Sequence, residues 1–483
     1  MPPLASPAAR GLFVLLAFTL LAGLRASPAL PTGAPAFLDD VQLRTFRWFW
    51  DNTDPATGLV PDRAPKPPFS SIAAIGFGLT AYGVGAERGY VSRAEAADRT
   101  LTTLRFLARA PMSASPQGTS GHRGFYYHFL QLGSGHRYKT NELSSIDTAL
   151  LMLGVLFSHE YFDRDSPAET EIRALAETLY RRVEWSWMAD PTQRPEGPLL
   201  RMAWRPESGF GASTYQGFDE ALFLYALALG SPTHPVSAEA WAAFTATYRW
   251  DRFHGQEFVQ FGPLFGYQYA HVWIDPRGLQ DAFFRAKGID AFTHSRRATY
   301  ANRAHCIANP GGFADYGPDI WGLSASDGPA MVTVTRGSRT LRFSTYEARG
   351  ASSHHTHDDG TLTPTAAGGS IPFAPEIAIP ALMAMRDRYG DRVYNRHGFV
   401  DAFNPTYRAE FGPVERGTVD PQHGWFDSDQ LGIDQGPILL MIENHRTRFI
   451  WETMRRNPHL VRGLLRAGFT APWLADAIAR THE

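Results

Sequence analysis

Apolar residues recur at helical spacing along most of this chain. The segment DDVQLRTFRWFWDN, 39–52, places its apolar residues on one helical face and acids at its start. Ser70 or Ser71 is positioned to cap a helix running to about Val84, and Ser92 to cap one over 93–109. The same spacing predicts helices near 143–161, 167–187, 218–229, 238–248, 277–287, 295–307, 375–389, 435–445 and 449–466. Strand signal is sparse. Residues 331–335 and 339–346 alternate around Gly337 and Ser338 and predict one β-hairpin. Long loops rich in glycine, proline and aromatic residues cover 112–138, 188–216 and 311–329, and loops of this length are more often functional than accidental. No linker or short repeat divides the chain after its N-terminal segment. The economical arrangement is one all-α domain over 31–483, a toroid of six inner and six outer helices with a small hairpin insertion. A two-lobed helical bundle is the alternative.

Several of the most apolar helices open on acids. Asp219 and Glu220 precede the run from Ala221 to Leu229, and Glu142 and Asp147 stand at the start of ELSSIDTALLMLGVLF. Glu376, Asp434 and Gln435 begin two more. The positive end of a helix dipole favours a carboxylate, so each position is satisfied by capping alone. Two carboxyl groups facing one cleft are also what glycoside hydrolysis requires. In a ring of helices that all begin on one side, these groups would converge.

Other polar clusters fit a polyhydroxylated ligand. The loop MAWRPESGF with GASTYQ offers Trp204, Phe210 and Tyr215 as platforms and Arg205 as a hydrogen-bonding group, or packs as a salt-bridged surface loop. The segment GQEFVQFGPLFGYQYAHVWID crowds Gln260, Tyr267 and His271 among aromatics, and buried polar groups need partners. Trp321 and Asp327 lie on the irregular loop YGPDIWGLSASDGP, where Asp327 serves equally well as a turn residue.

Composition narrows the classes. Among 483 residues the net charge is −2, which gives no basic face for nucleic acid. Aromatic residues make up 13%, suited to sugar stacking but also to large helical cores. Cys306 is the only cysteine, so neither an internal disulfide nor a cysteine metal cluster can form. No cofactor is implied: a Gly-rich phosphate loop with its lysine is missing, as is a G-x-S-x-G elbow. His354, His355, His357, Asp358 and Asp359 carry ligand chemistry, but neighbouring residues of one short loop rarely converge on an ion, so no metal site is assigned. Residues 1–30 read as a secretion signal and the edge of the mature chain, with Arg10 ahead of an apolar stretch from Gly11 to Leu24. That predicts a periplasmic or secreted protein without stable membrane insertion after cleavage, with an uncleaved anchor as the alternative.

The strings GFYYHFL, ELSSIDTALLMLGVLF, MAWRPESGF, GFDEALFLYALALGSPTHP, YGPDIWGLSASDGP and GIDQGPILLMIEN, in this order, resemble the glycoamylase-like family. The resemblance runs from about Phe37 to Phe469. It implies an (α/α)6 toroid and activity on β-1,2-glucan, as in endo-β-1,2-glucanases, sophorose-releasing enzymes and the transglycosylating domain of cyclic β-1,2-glucan synthases. Glu220 matches the acid of the family's GYNEA-type motif, with Phe218 and Asp219 in place of its Tyr and Asn. Asp147 matches the acidic position of an early inner helix, with Glu142 in support. The His354 loop has no counterpart in that pattern. The resemblance thus implies a β-glucan hydrolase using Glu220, Asp147 and Glu142, with transglycosylation, another β-glucan, or binding without turnover as alternatives.

Overall fold

Serine hydroxyls set the starts of the first long helices. Ser71 accepts from the Ala74 amide, Ser144 from Asp147, and Ser166 from Glu169. Ser92 and Glu95 form a reciprocal capping box. The computed structural model describes residues 30–192, 196–337 and 339–475. The predicted secretion signal falls almost wholly on residues 1–29, outside the described residues. Among the described residues, no helix is long and apolar enough to cross a membrane.

Fifteen α-helices are described: α1 Ala34–Asn52, α2 Ile72–Glu87, α3 Arg93–Arg109, α4 Ser145–Tyr161, α5 Pro167–Arg181, α6 Leu222–Gly230, α7 Glu239–Thr245 and α8 Ala270–Trp273. They continue as α9 Ala282–Lys287, α10 Ala291–Ala308, α11 Pro364–Gly368, α12 Pro375–Tyr389, α13 Gly432–Arg446, α14 Phe449–Met454 and α15 Pro458–Arg466. The predicted helix over 449–466 is in fact two, because the Asn457 side chain caps a new start at Pro458. The predicted helix over 277–287 shortens to α9, capped by Asp281.

Helix α2 packs between α13 and α4, and α4 packs in turn against α6. Along α2 nearly every side chain is buried, which explains a sequence apolar on all faces. Helices α3 and α5 lie outside this layer and show the amphipathic pattern instead. Glycines let the buried helices touch backbone to backbone: a Cβ at Gly154 would overlap the Gly76 carbonyl oxygen, and one at Gly463 would overlap that of Ala226.

Short strands lace the beginnings of these helices together. Arg63–Ala64, ahead of α2, pairs with Gln430–Leu431, which leads into α13. Ser70–Ser71 pairs with Phe129–Leu130, and Leu143–Ser144, which leads into α4, pairs with Ala203–Arg205. The N-terminal ends of α2, α4 and α13 are therefore held on one side of the molecule. The predicted hairpin forms as Val332–Arg336 with Arg339–Phe343. Tyr346, expected at its end, belongs to a separate strand that pairs with Ala325–Asp327.

The α2–α4 contact gives a stability test. Gly154→Ala should lower unfolding stability by about 2–3 kcal/mol, since the added methyl meets backbone that cannot step aside. Chemical denaturation measures it, and an unchanged midpoint would show that the two helices separate freely.

Candidate active site

The chain turns at Gly217, whose φ is 77°, and its amide is fixed by the Thr247 hydroxyl at 2.6 Å. Helix α6 begins only at Leu222, so Asp219 and Glu220 sit on the turn before it rather than in its first turn. Asp219 is buried and its carboxylate accepts from the Ala221 amide at 2.8 Å. Glu220 keeps a partly exposed surface. Burial, then the neighbouring charge of Asp219, raises the Glu220 carboxyl to about 8, and burial raises Asp219 as well. Two adjacent carboxyls in so poorly solvated a place do not both ionise.

His128 organises a second group of acids. Its Nδ1 donates to Glu142 at 2.8 Å, while Nε2 faces Asp147 at 3.5 Å. Arg205 donates to the other oxygen of Glu142 at 3.0 Å, and Ser144 donates to Asp147 at 2.5 Å. Burial opposes a charge on the imidazole, but Asp147 and Glu142 outweigh it and raise His128 to about 9. The hydrogen bond from His128, acting against burial, lowers Glu142 to about 2. Tyr215 connects the two groups. Its hydroxyl is raised by burial and then by the charges of Glu220, Asp147 and Asp219.

A third group lies at the start of α13. Asp434 is buried, with the Tyr269 hydroxyl 3.4 Å away, and burial raises it to about 7. Asp401 beside it is raised well above the carboxylate range by burial and by the charges of Asp434 and Asp327. One Asp401 oxygen accepts from the Asp327 amide at 2.7 Å. Arg63 and Arg416 both donate to the Asp327 carboxylate, at 2.5 and 2.8 Å. Ligand oxygens of Asp327, Asp427 and Asp429 lie within 4.8 Å of one another, as around a cation, and the two guanidiniums already supply positive charge there. The hydroxyl of Tyr346 is raised by burial and then by the charges of Asp434, Asp401, Asp327 and Asp62, which ties this ring electrostatically to the same acids.

The predicted site residues separate accordingly. Glu220, Asp147, Glu142, Tyr215, Arg205, Asp327 and Asp434 belong to these three groups. Trp204 and Phe210 form a cross-strand pair and stay partly exposed, Trp204 stacking on His122 at 5.1 Å. The others expected to meet ligand do not reach the acids. Tyr267 is buried with its hydroxyl on the backbone of Phe261 and Val259, and His271 is buried against the Ile274 carbonyl. Trp321 is fully buried in the core. Gln435 is buried and donates to the Phe399 carbonyl. Glu376 is bound by Arg296 and Tyr300 at the start of α12. Gln260 is satisfied by the Asp251 and Phe258 carbonyls and the Ser353 amide. Tyr267, His271 and Gln260 found backbone partners rather than a ligand, and Glu376 found side-chain ones. Sequence reasoning missed His128, Asp62, Arg63, Tyr269, Tyr346, Asp401, Asp427 and Arg416. The signal for His128 was an imidazole placed in the aromatic run GFYYHFL.

A family model described as "Glycoamylase: Putative glucoamylase" matches residues 212–458, beginning just before the Glu220 turn. A putative glucoamylase structure from Bacteroides uniformis is 31% identical, with a TM-score of 0.75 over 92% of this chain and 100% of that one. An endo-β-1,2-glucanase from Chitinophaga pinensis, solved with sophorotriose and glucose, is 27% identical, with a TM-score of 0.76 over 92% and 100%. An exo β-1,2-glucooligosaccharide sophorohydrolase of Parabacteroides distasonis is 28% identical over 460 residues, covering 88% of this chain. This chain spans 57% of that relative's length. With half the sequence inside the family model and a 31% identical structure matching 92% of the chain, the chain belongs to the putative glucoamylase, or glycoamylase-like, family.

Proposed function

We propose that this chain is a glycoside hydrolase that cleaves β-1,2-glucan or its oligosaccharides. The observation that carries the reading is Glu220: a partly exposed carboxyl that holds a proton at neutral pH because burial disfavours its charge. A general acid for glycosidic oxygen needs that property. The substrate follows from the relatives named for β-1,2-glucans. In this reading the helices form a single (α/α)6 toroidal domain over 31–483, with α2, α4, α6 and α13 on its inner ring. Export to the periplasm or beyond belongs to the same proposal, and a mature N-terminus near Pro31 is its readout.

Glu220 protonates the leaving oxygen, and Asp147 activates water. Glu142, lowered to about 2, has no proton to give at neutral pH. Its part is to keep His128 charged and in place, a positioning role instead of the shared catalytic one its sequence position suggested. Asp434 is the second candidate base, favoured by burial that leaves it near 7 beside the Tyr269 hydroxyl.

Purified protein should release short products and new reducing ends from linear β-1,2-glucan, but not from laminarin or starch. Release from starch alone would overturn the linkage. Binding without products from all three would favour a carbohydrate-binding protein, and longer products would favour transglycosylation. Glu220→Gln should cut kcat by about 10²–10⁴, the range of general acid catalysis. Because the protonated form works, kcat/KM of the wild type should hold at neutral pH and fall as pH rises through about 8. A folded variant with full activity would exclude Glu220.

Glu142→Gln removes one of the two carboxylates that support the imidazolium and leaves Asp147 as the other. The NMR titration of His128 should then move from about 9 down toward the ordinary value of about 6.5. An unmoved titration would show that Asp147 alone holds the charge.

A further inference from the structure

A cavity of about 630 Å³ opens beside the Glu220 turn. Phe218, two residues ahead of Glu220, forms part of its wall, and so does Glu347, which follows Tyr346. Two chain segments that carry residues of the acid-lined cleft thus also line this cavity. Its far side is Arg249 together with the loop that carries His354, His355 and His357.

That loop is built, not slack. Gly350–Ala351 pairs with Thr356–His357 across it. The Ser352 hydroxyl accepts from the His354 and His355 amides and donates to the His355 carbonyl at 2.9 Å. The Gln260 amide oxygen holds the Ser353 amide at 3.1 Å, which accounts for a buried glutamine at the edge of the cavity. The result is a tight turn with His354 and His355 exposed. On the opposite side Phe218 is fixed by stacking on Tyr267, ring centres 4.9 Å apart, leaving an apolar surface beside the polar wall.

Two of the histidines face carboxylates: His354 approaches Asp251 at 3.6 Å, and His357 approaches Glu347 at 3.9 Å. Arg249 is exposed, and among the described residues its guanidinium meets neither a carboxylate nor a hydrogen-bond acceptor. The His355 ring is likewise without a side-chain partner. Recognition of a neutral sugar can be met by amides and hydroxyls. An unpaired guanidinium that lines the same cavity as an imidazole is suited to an oxyanion, which accepts its parallel N–H groups.

We propose that this cavity binds an acidic saccharide, its ring against Phe218 and its phosphate or carboxylate held by Arg249 and His355. The proposal goes beyond the hydrolase reading and rests on it only in taking the ligand to be a sugar. Calorimetric titration with glucose, glucose 6-phosphate, glucuronate and inorganic phosphate tests it without any turnover. At least one acidic sugar should bind about tenfold or more tighter than glucose, as expected for hydrogen bonds to a charged group. Whether glucose 6-phosphate or glucuronate shows the gain identifies the oxyanion. Arg249→Gln and His355→Ala should each reduce that advantage and leave glucose binding unchanged, and both side chains are exposed enough for the variants to fold. Equal binding of all three sugars would overturn the proposal. So would an Arg249→Gln protein that keeps the advantage, or inorganic phosphate that binds as tightly as the phosphorylated sugar. A protein inactive on β-1,2-glucan would refute the hydrolase reading and leave these titrations standing.

Discussion

The cleft holds more buried carboxyl groups than it has cations to face them, and this excess sets the chemistry of the protein. Asp62, Asp147, Asp219, Asp327, Asp401, Asp427 and Asp434 are each less than a tenth exposed. The positive groups among them are Arg63, Arg416 and His128. Ionising every acid would set like charges together in a poorly solvated place, at a cost no fold tolerates. Some must keep protons. One oxygen of Asp401 and one of Asp427 meet no hydrogen-bond donor, as expected if Asp401 shares a proton with Asp434, and Asp427 with Asp327. The cations decide where protons stay off. Glu142, between His128 and Arg205, is ionised well into acid, whereas Glu220, which no cation touches, keeps its proton past neutrality.

Such a cluster needs a frame that does not relax. The strands ahead of α2, α4 and α13 supply one side of it. The other side is a fully buried ion pair: Arg349 grips both oxygens of Asp359, at 2.7 and 2.9 Å, and donates to the carbonyls of Ser326, Asp327 and Ser344. A buried pair of this kind is worth little against an apolar replacement, yet breaking it strands a charge in the core. Its use here is positional. It fixes the backbone of Asp327 and the start of the strand that carries Tyr346, so both arrive at the cleft from elements distant in sequence.

The helices were legible because their signals are local. The caps at Ser71, Ser92 and Ser144 and the helix over 375–389 lie where spacing and capping chemistry place them. The site was legible where an acid sat beside an apolar run, as with Glu220, Asp147 and Asp434, and at a few loop residues, Tyr215, Arg205 and Asp327. Burial alone misled. Tyr267, His271 and Gln260 look like ligand-binding groups in a list of residues, but the backbone carbonyls and amides that satisfy them cannot be read from such a list. Asp401, Asp427 and Arg416 were invisible for the opposite reason. They lie in irregular segments, and only the pairing of Phe403–Asn404 and Thr418–Asp420 with Gly424–Phe426 brings them to Asp327.

The neighbours Asp219 and Glu220 show how one methylene divides two tasks. The shorter Asp219 side chain turns back onto its own backbone and satisfies the Ala221 amide, as a capping residue does. Doing so fixes a carboxyl beside Glu220 whose charge raises the glutamate further. The longer Glu220 side chain keeps exposed surface, so its carboxyl is the one available to a ligand. Asp219 therefore both closes the turn before α6 and tunes its neighbour. An asparagine at that position would keep the accepting oxygen and remove the charge, so in this chain part of the raised pKa of Glu220, beyond what burial gives it, comes from a residue that need never touch the substrate.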